Sequence, residues 1–122
     1  MERIWIALGS VAGLSGVGMA AAAGHGLPER LDPASLQMVR NAVQIHLSHS
    51  VVLVVCGVWT LSDAPRLVSW AAAVFALGLM LFCGAVYALA LAGLRLPAVA
   101  PTGGMQLMIG WLLLGIAALR AG

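Results

Sequence analysis

The chain has 122 residues, 62% of them hydrophobic and 8% charged, and a mean hydropathy of +1.05. A soluble domain carries about a quarter charged residues, so this composition reads as an integral membrane protein. Six arginines, no lysine and four acidic residues leave a net charge of +2 scattered along the sequence, without the basic patch that phosphates require, which argues against nucleic acid as a partner.

The first apolar run covers residues 4–23, and about 20 residues at about 1.5 Å each cross a hydrocarbon core of about 30 Å. Arg3, the apolar stretch and Ala20 to Ala23 also imitate a secretory signal peptide. The run is long for a signal core, so a retained first span is expected. Gly9, Gly13, Gly16, Ala20 and Gly24 recur every three or four residues and line one helix face, with Gly9 and Gly13 as a GxxxG pair. Such a face either accepts a closely packed helix or reflects a composition rich in small residues.

The second element opens at Asp32-Pro33, an aspartate cap before a proline at the first helical position, and runs over residues 33–61. Asp63-Ala64-Pro65-Arg66 is a tight turn. A third span, 67–92, is closed by Gly93, and a short apolar linker from Arg95 to Pro101 leads into a fourth, 102–119. The expected fold is an all-α integral membrane four-helix bundle with short connections, one transmembrane domain over residues 1–122. Cys56 and Cys83 fall inside the second and third spans, where a free thiol behaves as a small hydrophobe, so no disulfide framework is indicated.

Four spans place the N-terminus, the Asp63 turn and the C-terminus on one side. Trp5, Trp59 and Trp70 then share a boundary, as interfacial tryptophans do, while Trp111 lies within its helix and stands outside that belt. Arg3, Arg66 and Arg120 face one compartment and Arg30, Arg40 and Arg95 the other, a tie that leaves the orientation open.

Gln44 to Ser50, QIHLSHS, carries two histidines into the second span. The run from Leu47 to Leu61 makes only about 22 Å of helix, so the core reaches back to about Ala42 and takes in His46 and His49, about 6 and 10 Å below the boundary. At a spacing of three they share a face, which lipid would penalise, so it is expected to point inward. On the same topology His25, Tyr87, Thr102 and Gln106 lie in the same half of the bilayer, and all six are candidates for one polar cluster or ligand site. Gly103-Gly104 follows Thr102 at the predicted opening of the fourth helix. Two glycines there either leave backbone N–H donors free or allow close packing.

Several motifs resemble, in order, those of the YgdD family. These are Ala21-Ala22-Ala23-Gly24-His25-Gly26-Leu27, the stretch Asn41 to His49, Leu81 to Tyr87, Ala100-Pro101-Thr102-Gly103-Gly104, and Gly110-Trp111-Leu112. The family consists of small bacterial inner-membrane proteins of unknown function, related to a eukaryotic mitochondrial transmembrane protein. The resemblance covers nearly the whole chain and implies four membrane helices, an uncleaved first span and a multi-pass location in the inner membrane, with no established activity or cofactor. His25, His49, Tyr87, Gly103, Gly104 and Trp111 match the pattern; Ile45 stands where an aromatic residue is common and Cys83 where a small hydroxyl residue is common.

Three functional readings follow from the residues. In the first, the polar side chains satisfy one another and fix helix register, at about 0.6 kcal/mol for each interhelical bond. The protein is then an accessory or assembly subunit that meets lipid and, as a homo-oligomer or in a larger complex, other membrane proteins. In the second, His46 and His49, with His25, hold a metal, or histidines on two helices clamp a haem. In the third, imidazoles and Tyr87 relay protons or bind a quinone head in a small transporter whose glycine face supplies an oligomer interface. Enzyme chemistry is not expected: Glu2, Glu29, Asp32 and Asp63 all lie in termini or turns, and no nucleophile motif such as G-x-S-x-G is present.

Overall fold

The computed structural model describes residues 2–121, which form four helices: α1 (Glu2–His25), α2 (Pro33–Thr60), α3 (Arg66–Ala92) and α4 (Val99–Ala121). A single 3-10 turn at Leu27–Glu29 joins α1 to α2. All four helices are long and apolar enough to cross a membrane, and the described residues contain no strand. The protein is therefore all-α, as the hydropathy pattern indicates.

Local chemistry sets the helix ends. Asp32 is the extended N-cap of α2, and its carbonyl accepts the Leu36 N–H at 3.0 Å. Its carboxylate makes no capping bond, so the stop is made by backbone geometry and by Pro33, whose fixed φ suits the first helical position. Gly93 closes α3 at φ 67°, a left-handed conformation that glycine adopts without a Cβ clash. Its N–H reaches Leu89 O at 3.0 Å, and the Leu94 N–H reaches Ala88 O at 3.1 Å. Helix α4 starts at Val99, three residues before the expected Thr102. Pro101 thus falls in the first turn, where its missing N–H forfeits no helical bond. Gly103 and Gly104 consequently sit inside the helical ladder and do not present free donors at a helix opening.

The helices pack in chain order, α1 on α2, α2 on α3 and α3 on α4; α1 and α3 barely touch, and among the described residues neither α1 nor α2 approaches the α4 backbone. Small residues allow the two close pairings. On the α1–α2 side a Cβ at Gly9 would stand 2.6 Å from Val54 Cγ2 and 2.9 Å from the Ser50 carbonyl, and one at Gly57 would stand 2.8 Å from the Ile6 nitrogen. On the α3–α4 side a Cβ at Gly103 would come 2.5 Å from the Phe82 nitrogen, while the ring of Phe75 fills the space left by Gly110. In lipid, where apolar surface gives no drive for helices to associate, this close backbone approach is the main attraction. Gly104 borders the Phe82 ring more loosely, at 3.7 Å, and Gly13 meets only Ser50 Cβ at 3.9 Å.

Two buried clusters result. The larger, with Leu53, Cys56, Phe75, Leu79 and Leu107, joins α2, α3 and α4. The smaller, with Ala23, Val39, Val43 and Ala90, sits near the α1–α2 connection. Cys56 and Cys83 are both buried as free thiols.

Candidate functional site

His46 and His49 are both buried in α2. One turn of helix separates them, yet they serve different neighbours. His46 Nε2 lies 3.1 Å from Ser15 Oγ on α1, and its Nδ1 lies 2.9 Å from the Tyr87 hydroxyl on α3. His49 Nε2 accepts the Trp111 indole N–H from α4 at 3.0 Å, and its Nδ1 lies 2.8 Å from the Ile45 carbonyl. The first network joins α1, α2 and α3; the second joins α2 to α4.

The second network has a fixed proton arrangement. An indole nitrogen only donates, so His49 Nε2 carries a lone pair, and the proton on Nδ1 is donated to the Ile45 carbonyl. Aromatic packing locks the ring as well: His49, Phe75 and Trp111 stand in a triangle, with centroid distances of 5.6 Å for His49–Phe75, 5.3 Å for Phe75–Trp111 and 5.8 Å for His49–Trp111, and the Phe75–Trp111 pair meets edge to face at 79°.

The first network has no such lock. Ser15 can give its hydroxyl proton to His46 or to its own helix, where the Val11 and Ala12 carbonyls each lie 3.0 Å away. Either His46 tautomer therefore completes the row Ser15–His46–Tyr87, with the donors running in opposite directions.

Ser15 lies close to the midpoint of α1 and His46 at the midpoint of the 28-residue α2.

The remaining sequence candidates lie elsewhere. His25 ends α1 and is exposed. Thr102 is exposed, its hydroxyl bonded to Ala98 O at 2.6 Å within its own segment. Gln106 is half-buried beside Gly78. Among the described residues none of these three joins either network. The described residues also bring no three His, Cys, Asp or Glu side chains together as a metal site. Both nitrogens of His46 and of His49 already have partners.

Sequence reasoning missed Ser15 and passed over Trp111. Each carried a signal: a hydroxyl midway along an apolar span, and a tryptophan away from the interfacial belt whose N–H needs an acceptor. A third contact ties α3 to α2, where the Cys83 thiol points at the Ala42 carbonyl at 3.6 Å.

The family expected from the motifs is the one that comparison with known proteins returns. A family model described as "Protein of unknown function (DUF423)" matches residues 19–104. The chain is 33% identical to a UPF0382 membrane protein of Staphylococcus epidermidis, over 97% of each chain. It is 31% identical to the UPF0382 membrane protein YwdK of Bacillus subtilis, over 97% of this chain and 98% of that one. Identity to the UPF0382 inner membrane protein YgdD of Escherichia coli is 27%, over 98% and 92% of the two chains. No solved structure matches.

Proposed function

The chain belongs to the DUF423 family and is a small multi-pass protein of the bacterial inner membrane; from that premise we propose that it is an accessory or assembly subunit acting through helix–helix contacts. The observation that carries this reading is the uncovered outer face of α1. Ala7, Ser10, Leu14, Val17 and Ala21 recur every three or four residues and are all exposed, with Leu14 at 77%. They form a face separate from Gly9 and Gly16, which α2 already occupies. The glycine face is thus spent inside the protomer, and the surface left for a second copy or another membrane protein is this mixed small and apolar stripe.

On this reading the histidines are structural. His46 ties α2 to α1 and α3, His49 ties it to α4, and the nitrogens of both are satisfied within the chain. The protein then performs no bond-making chemistry of its own.

The test is extraction of the native membrane into polymer-bounded discs, followed by mass measurement of the particles. A defined complex is expected, and Ser10→Phe or Ala21→Phe is expected to release the protomer without lowering its melting temperature. A protomer that is alone in the wild-type discs would overturn the reading.

A further inference from the structure

Because α1 rests on α2 and barely meets α3, a crevice of about 430 Å³ remains between α1 and α3, floored by α2. Its mouth lies between Val11 and Met80, which are 63% and 73% exposed, so it opens sideways toward lipid rather than toward water. Its walls are apolar except at one end, where Ser15, His46 and Tyr87 line it.

We propose that this crevice binds an uncharged isoprenoid quinone, its ring oxygen hydrogen-bonded to the Tyr87 hydroxyl and its tail lying along α1 and α3. This goes beyond the assembly reading and does not depend on it, because the crevice uses Leu8, Val11, Ala12 and Ser15 rather than the outer face of α1.

Three observations select the ligand. Among the described residues no Arg, Asp or Glu lines the crevice, so a phosphate or carboxylate head would be desolvated there without a counter-charge. The polar end is closed by Ser15 and His46, near the midpoints of α1 and α2, and by Tyr87, five residues before the end of α3, so a head group enters through the apolar lipid-facing mouth, a path that costs an uncharged ring far less hydration than a phospholipid head. Finally, the Ser15–His46–Tyr87 row runs in either direction. When Ser15 donates to His46 and His46 donates to Tyr87, the phenol proton is free for a carbonyl oxygen. When the row reverses, Tyr87 gives its proton to His46 and its oxygen accepts from a hydroxyl. A site that both donates and accepts at one point suits a lipid whose head exists as carbonyl and as hydroxyl, which is the quinone and quinol pair. The fixed proton arrangement at His49 gives no such choice.

The experiment is equilibrium binding to the detergent-purified, delipidated full chain. Its probes are a decyl-substituted benzoquinone, the corresponding hydroquinone, dioctanoylglycerol and dodecanoate. Both quinone forms are expected to bind saturably at one per protomer, dioctanoylglycerol at least tenfold more weakly, and dodecanoate not at all. Gly84 lines the crevice, and a Cβ there meets nothing within 4 Å. Gly84→Leu is therefore expected to fill the space and abolish binding without lowering the melting temperature. Tyr87→Phe keeps the ring and loses only the hydroxyl, and is expected to weaken binding about five- to tenfold. Absence of saturable quinone binding, tighter binding of dioctanoylglycerol, or full affinity in Gly84→Leu would each overturn the proposal. If Gly84→Leu does not fold, unchanged affinity in Tyr87→Phe overturns it.

Discussion

The indole N–H of Trp111 is donated to Nε2 of His49 across 3.0 Å, linking α4 to α2 although their backbones never come close. The fully buried ring of Phe75 packs against both side chains and completes a triangle with them. The bond is the polar counterpart of the Gly110 contact below it: glycine lets Phe75 approach α4, and that approach brings Trp111 within reach of α2.

Trp111→Phe keeps an aromatic ring against Phe75 and removes the donor, leaving a buried imidazole lone pair without a partner. The expected loss is about 1 kcal/mol, read from reversible unfolding in mixed detergent micelles. In the wild type, nitrogen NMR of histidine-labelled protein is expected to place the His49 proton on Nδ1; a proton on Nε2 would contradict the geometry.

Ser15→Ala and Tyr87→Phe each remove one partner of His46. Because both act on the same imidazole, their costs are expected not to add, with a coupling of about 0.5 kcal/mol or more in a double-mutant cycle. The pairing of Ser15→Ala with Trp111→Phe, on separate networks, is expected to be additive within about 0.5 kcal/mol. Strict additivity in the first cycle would dissolve the Ser15–His46–Tyr87 row.

At the α1–α2 contact, Gly9→Ala puts a Cβ 2.9 Å from both the Ser50 carbonyl and the Val54 nitrogen, backbone atoms that cannot rotate away. A loss of about 1–3 kcal/mol is expected as the helices are forced apart. Gly18→Ala, in the same helix with open space around it, is expected to be neutral or to stabilise by up to about 1 kcal/mol through helix propensity. Thermal unfolding of the pair separates packing from propensity, and equal effects would place the contact elsewhere.

Cys83→Ser supplies a stronger donor of nearly the same size toward the Ala42 carbonyl, and the resemblance to the family, which commonly carries a small hydroxyl residue there, points the same way. It is expected to hold or raise stability, whereas Cys83→Ala is expected to lose about 1 kcal/mol through the missing contact and the small cavity. A melting order with alanine above serine would show that the thiol acts only as a hydrophobe.

The four spans were legible in the order of residues, because crossing a membrane is a local property: each helix satisfies its own backbone and needs only length and apolar composition. Proline and glycine placed the ends to within a few residues, missing by three at α4, where Pro101 is accommodated in the first turn. The identity of two buried polar residues, His46 and His49, was also legible, since an ionisable side chain in an apolar run must find a partner. Which partner was not. Helix packing sent His46 to Ser15 and Tyr87 and His49 to Trp111, and among the described residues it left His25, Thr102 and Gln106 outside both networks. The physical reason is that lipid, as apolar as the helices, does not dictate which faces meet. The choice is made by pairwise fit, Gly9 against Val54 and Gly110 against Phe75, and such fits join residues that no local pattern relates.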